Sequence, residues 1–277
     1  MKIKFIIILT IIAFSSSKIL AEQTAILKET KKKEPSFSEE KGINNIYFHS
    51  FYEYSWIEQN SRHGNWTVYW NRIAYLKNNL QILYIDITQY DRFNIRDYTI
   101  DFGSYKKIKN GYLNGEFGSA LDNINYIYKF KGLLEAEHKI IYNWFINLNT
   151  RYLHYISDVS GDVYVFFPAL VYYFGNNYVT AGYGTSYTQF RGSAHYGTIK
   201  GNFAINKRLN LFLGASFGNR LFDIDLLKSN QQYGSIFFGD ADIILNEKIS
   251  LRIGGSYSNE RPSFLKSSID FSAKVKF

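Results

Sequence analysis

The chain has no cysteine, only 3 prolines and 1 methionine in 277 residues, and no apolar run long enough to cross a bilayer as a helix. Without cysteine there is no disulfide framework, no lipid-modified N-terminal cysteine and no thiolate chemistry. A spanning helix needs about 20 apolar residues. The longest run here, Phe5 to Phe14, is roughly half that length and is interrupted by Thr10. Concentrated basic charge is also missing. The formal net charge is +8, and three of those charges, Lys2, Lys4 and Lys18, lie in the first segment of the chain. The one basic run, Lys31 to Lys33, is answered by Glu29, Glu34, Glu39 and Glu40. No nucleic-acid partner is expected from such a distribution.

What the chain does contain is aromatic side chains, 24 Tyr, 23 Phe and 4 Trp, combined with a mean hydropathy of −0.23. Lys2 and Lys4, the apolar run, Ser15 to Ser17 and Ala21 read as a secretory signal over residues 1–21. Residues 22–43 hold Pro35 and eight Lys or Glu between Lys28 and Glu40 without any sustained period, so they read as a solvated periplasmic leader. From Asn44 to Phe277 the texture is uniform: short segments of alternating polarity, separated by Asn, Gly, Asp and Lys. Alternation puts apolar side chains on one face of a strand. Some 14 such segments are expected, or twelve if the glycine-thinned stretch from Tyr98 to Leu121 merges. Tight, Asn-rich connectors at 77–79, 109–110, 175–177, 206–208 and 246–248 alternate with longer ones, including Glu58 to Asn65, Asn219 to Gln232 and Asn259 to Lys266. Asp122 to Asn125 is the misfit, short where a long connector is due. The pattern predicts an all-β fold: a closed antiparallel up-and-down transmembrane barrel over residues 44–277, with short periplasmic turns and longer outer loops.

Strand faces follow from parity. In Ile269 to Phe277 the odd positions are apolar and the even ones polar, so Phe271, Val275 and Phe277 face lipid. A terminal aromatic strand of this kind is the form of signal that the barrel-assembly machinery reads. Leu209, Leu211, Leu213, Ala215 and Phe217 likewise oppose Asn210, Gly214 and Ser216, with Phe212 out of step. The same reasoning places Glu53, Asp86, Lys129, Lys131, Glu135, Glu137, Arg151, Asp240, Asp242 and Arg252 in the lumen. These signs are mixed, which favours a narrow pore of weak ion preference over a ring of one charge. Ile249, Leu251 and Ile253 oppose Ser250, Arg252 and Gly254, and Leu251 is expected to face lipid near the midplane.

The segment Phe51 to Trp56, then Trp66 with Arg72, Asp91-Arg92-Phe93, Arg151 to His154 and Tyr172 to Tyr178 resemble, in this order, the landmarks of the YaiO-type outer-membrane β-barrel family. The resemblance covers residues 44–277. It implies a closed outer-membrane barrel associated with surface polysaccharide. The long helical-repeat region that precedes related barrels in exopolysaccharide exporters is lacking, so an export role does not carry over. The expected function is an outer-membrane conduit, porin-like or related to surface saccharide. The alternative is a non-conducting barrel that presents its outer loops. Expected partners are outer-membrane lipid and lipopolysaccharide, the assembly machinery, and small polar solutes or surface saccharides. Enzymatic activity is not expected: His49, His63, His138, His154 and His195 are the available bases, and no serine elbow or paired-histidine motif accompanies them. No cofactor or metal is expected either, the histidines being scattered.

Overall fold

The computed structural model describes residues 44–59, 62–78, 80–92, 95–121, 127–156, 161–188, 192–219, 233–260 and 264–277. The secretory signal, the leader and nearly all of the Asn219 to Gln232 connector lie outside them. Fourteen strands are formed: β1 (Asn45–Gln59), β2 (Arg62–Lys77), β3 (Gln81–Arg92), β4 (Ile95–Ile108), β5 (Gly111–Ala120), β6 (Phe130–Ile141), β7 (Trp144–Tyr155), β8 (Gly161–Phe174), β9 (Asn177–Thr188), β10 (Gly192–Ala204), β11 (Leu209–Asn219), β12 (Tyr233–Ile244), β13 (Ile249–Glu260) and β14 (Phe264–Lys276). Each pairs antiparallel with its sequence neighbours, and β1 pairs with β14, so the sheet closes with no free edge. At 10 to 16 residues the strands are long enough for the ~9 to 11 that cross a bilayer.

Closure runs from Tyr47↔Lys276 to Gln59↔Phe264, and the Phe277 N–H donates to the Ile46 carbonyl at 2.9 Å. Both ends of the barrel wall therefore lie at the rim that carries the tight turns. In two of these turns an asparagine carboxamide ties the connector: Asn206 Oδ1 accepts from the Arg208 and Leu209 N–H groups, and Asn246 Oδ1 from those of Lys248 and Ile249.

The twelve-strand alternative is overturned by β4 and β5, which stay separate and pair from Thr99↔Ala120 to Ile108↔Gly111. Gly103 is needed in that pair because a methyl group there would fall 2.0 Å from Cζ of Tyr84. Two connector assignments are corrected as well. Strand β6 begins at Phe130, not Tyr126, so the connector after β5 spans residues 121–129 and is long where the alternation demands it. Strands β1 and β14 reach further up, to Gln59 and down from Phe264, which puts Lys266 on a strand instead of in a loop. The ladder of backbone hydrogen bonds runs on past the point where side-chain alternation fades, because pairing does not depend on polarity.

Outward positions carry large apolar side chains around the barrel, among them Ile73, Ile85, Phe117, Leu134, Phe166 and Leu213. An exposed apolar surface of this extent belongs against lipid, not water. Phe271, Val275 and Phe277 are on this outer side of the last strand, with Phe277 70% exposed. Because the wall has no edge from which to unzip, the protein unheated in mild detergent is expected to migrate as a compact species on gels and to shift on boiling. Identical migration before and after boiling would contradict closure.

Candidate functional site: the barrel interior

The interior is packed on one side. Towards the long-connector rim, Ile57, Trp66, Val68, Tyr90, Ala120 and Ile127 form a buried apolar cluster between strands β1 to β5. Towards the tight-turn rim, Tyr47, Ala74, Leu76, Ile82, Tyr84, Tyr105 and Tyr112 form another. Between them lies a network of charge. Arg72 on β2 makes two parallel bonds to Asp86 on β3, Nε to Oδ1 and Nη2 to Oδ2, both at 2.7 Å. Its guanidinium sits 3.9 Å from the Tyr84 ring centroid and 4.9 Å from that of Trp70. Lys131 on β6 bridges Glu116 at 2.5 Å and Asp101 at 3.1 Å. Tyr84 donates to Glu116 at 2.9 Å, and Tyr128 to Asp101 at 3.2 Å.

Further round, the Tyr112 hydroxyl and the Asn147 amide both donate to Oε1 of Glu135, at 2.5 and 2.7 Å, and Tyr173 donates to Glu137 at 2.9 Å. At the seam, Lys266 binds Glu53 at 2.6 Å while Ser55 donates to the same carboxylate oxygen. These are charge-assisted bonds inside a wall that excludes water, so they hold strands β14 and β1 to β8 in fixed register.

The side from β8 to β13 is built differently. Its inner positions include the small, uncharged Ala169, Thr180, Ser186, Thr188 and Ser216, with Lys200 a buried cation on β10. Phe167 and Tyr196 stack at 5.8 Å between centroids with 17° between their planes. A cavity of about 890 Å³ opens at the tight-turn rim on this side, lined in part by Tyr47, Asn202, Phe212, Asp240, Asp242, Arg252, Lys274 and Lys276.

The residues read from the sequence as lumen-facing fall into four situations. Glu53, Asp86, Lys131, Glu135 and Glu137 belong to the packed side and are tied as above. Asp240, Asp242 and Arg252 line the cavity, with Arg252 Nε 4.0 Å from Asp242. Arg151 donates to Asn149 at 3.2 Å on its own strand. Lys129 lies just ahead of β6, half-buried, and its N–H donates to the His154 carbonyl at 2.6 Å. Sequence reasoning missed three kinds of participant: Arg72, seen only as a landmark; Lys266, assigned to a loop; and the tyrosine hydroxyls of residues 84, 112, 128 and 173. These four are interior donors; Tyr84 shares the parity of Asp86 on β3 and Tyr112 that of Glu116 on β5, a signal the sequence carries, whereas Tyr128 and Tyr173 have no charged companion in phase.

The histidines do not assemble into a site. His154 contacts Asp162 at 2.8 Å, with Tyr152 donating to the same oxygen, near the long-connector rim. His195 meets Thr185 at 3.3 Å and stacks on Tyr183, while His49 packs edge-on against Trp70. Among the described residues no three His, Asp or Glu converge as a metal ion requires.

No family model and no curated protein matches the chain. Solved structures do. The CymD monoaromatic hydrocarbon channel superposes with a TM-score of 0.56 at 8% identity, covering 86% of this chain and 90% of that one. A loop-deletion mutant of OmpT, an outer membrane protein of Vibrio cholerae, gives 0.49 at 8% identity over 86% of this chain and all of that one. The likeness is one of fold, that of an outer-membrane β-barrel.

Proposed function

We propose that the protein is an outer-membrane conduit of the YaiO type for small polar solutes, reaching its membrane by the general secretory route. The observation that carries this reading is the lopsided interior. Paired charge is concentrated from β1 to β7 and across the seam to Lys266. Strands β8 to β13 instead carry small polar residues, the rings of Phe167, Tyr196, Phe212 and Phe238 and the buried cation Lys200 around a passage that begins in the 890 Å³ cavity at the tight-turn rim. Paired charges project little field beyond their partners, so such a passage favours solutes of low net charge over simple ions. Phe271, Val275 and Phe277, outward on the closing strand, are the residues offered to the assembly machinery, and lipopolysaccharide is the outer-leaflet neighbour.

In planar bilayers the purified protein is expected to give small conductance steps with weak ion preference. A large, strongly cation-selective or anion-selective current contradicts the neutralised interior. Complete absence of conductance favours the alternative reading, a closed barrel that scaffolds its outer connectors. The apolar cluster of Ile57, Trp66, Val68, Tyr90, Ala120 and Ile127, which fills part of the outer mouth, is the feature that supports that alternative.

A further inference from the structure

Glu53, Asp86, Asp101, Glu116, Glu135 and Glu137 on the packed side each have a cation or a hydroxyl to satisfy them. Asp240, at the inner end of the cavity, does not. It is 6% exposed, and neither of its oxygens accepts a hydrogen bond. Arg252, which lines the same cavity, has its Nε 4.0 Å from Asp242. A second carboxylate stands beside it across β13: in register, Asp240 pairs with Gly254 and Gly254 with Asp270. A methyl group on Gly254 would fall 1.8 Å from Oδ1 of Asp240 and 3.0 Å from Oδ1 of Asp270. The glycine therefore leaves both carboxylates projecting over the same spot. An aromatic face completes the surroundings, since Phe212 is the register partner of Asp240 on β11, lines the same cavity and packs on Phe238 at 5.6 Å.

A buried carboxylate that nothing neutralises is costly, and the usual remedy is a bound cation. Carboxylate with an adjoining ring is the chemistry that recognises an ammonium group. The mouth of the same cavity has the opposite character. Lys274 and Lys276 bring their ammonium groups to 4.9 and 6.0 Å from the Tyr47 ring centroid, and Lys207, Arg208 and Lys248 line the same mouth, outnumbering its one carboxylate on the turns, Glu247. A plain organic cation would be repelled on the way in, whereas a solute with a carboxylate at its other end would be drawn. Along β14, Asp270 and Lys274 are four residues apart, roughly 13 Å at the backbone, and the lysine arm takes up part of that span.

From this arrangement we propose that the cavity binds a small, short-chain zwitterion, its ammonium group on Asp240 beside Phe212 and its carboxylate on the lysines of the mouth. This names the solute class of the passage proposed above and rests on that reading. The competing explanation is that the cavity is only water-filled and Asp240 binds nothing.

The test is isothermal titration calorimetry of the full-length barrel in detergent micelles with 6-aminohexanoate, 6-hydroxyhexanoate and 6-amino-1-hexanol, three chains of equal length of which only the first carries both charges. The zwitterion is expected to bind about ten-fold more tightly than either analogue, and Asp240→Asn to weaken it by about ten-fold or more, as loss of a charged hydrogen bond predicts. Phe212→Leu is expected to weaken it less, with both variants keeping the gel shift on boiling. Equal binding of the hydroxy acid reduces the mouth to an unspecific anion funnel and overturns the proposal. Equal binding of the amino alcohol overturns it too, as does the absence of saturable heat or an unchanged affinity in Asp240→Asn. Bilayer recordings separate the two readings. Binding without conductance removes the passage and keeps the site, whereas conductance without binding removes the site and keeps the passage.

Discussion

Replacing Arg72 by methionine is expected to destabilise the barrel by about 3–5 kcal/mol, the cost of leaving a buried charge without its partner. Arg72 and Asp86 are 3% and 1% exposed, and their two bonds are both 2.7 Å. Removing the guanidinium strands Asp86 within reach of Glu116 and uncovers the face of Tyr84 on which the guanidinium lies. The carboxylate then has to take up a proton or draw in water. Arg72→Met combined with Asp86→Leu is expected to recover most of the loss, because an apolar pair of similar volume has no ion to desolvate. Urea unfolding of the two variants in lipid vesicles measures both effects. If Arg72→Met alone costs less than about 1 kcal/mol, as exposed ion pairs do, the interior at that point is wet and the dense side of the barrel is wrongly drawn.

The same pair shows where sequence reasoning succeeded and where it stopped. The fold was legible because alternation is enforced by two different solvents: on β11 and β14 lipid outside and a polar interior sort the side chains, and parity reads off the faces. On β2 the rule loses its force. Trp66, Val68, Trp70, Ala74 and Leu76 point inward with Arg72, while Tyr69, Ile73 and Tyr75 point outward, so both faces are apolar. Alternation is silent wherever the inside of a barrel is itself a packed core. Only the isolated charges, Arg72 opposite Asp86 and Lys131 opposite Gly118 between Asp101 and Glu116, mark the inner face there. The connectors were legible at the tight-turn rim, where Asn206 and Asn246 have a backbone task. They were less so at the other rim, where Lys266 belongs to a strand whose backbone pairing runs on past its alternating stretch.

Height within the membrane is the second quantity parity does not give, and it changes the expected behaviour of Leu251. That residue faces outward, 40% exposed, as its parity requires, but it is the third residue of β13, close to the tight turn that precedes the strand. It sits near an interface, not the midplane. Leu213 is the better probe: fifth of the eleven residues of β11, outward and 52% exposed, with glycines as register partners on both sides, Gly201 and Gly239. Those neighbours give a long cationic side chain nothing to lean on, and from mid-strand it reaches neither interface easily. Leu213→Arg is therefore expected to cost about 2–4 kcal/mol, and Leu251→Arg about 0–1, following the depth dependence of arginine on a lipid-facing wall. Ser250→Arg points into the cavity at the turn rim, where water is available, and is expected to be as mild as Leu251→Arg. Folding titrations of the three variants into vesicles decide the matter. A Leu251→Arg penalty equal to that of Leu213→Arg would place β13 deeper in the bilayer than its turn allows, and an equal penalty for Ser250→Arg would undo the assignment of faces on that strand.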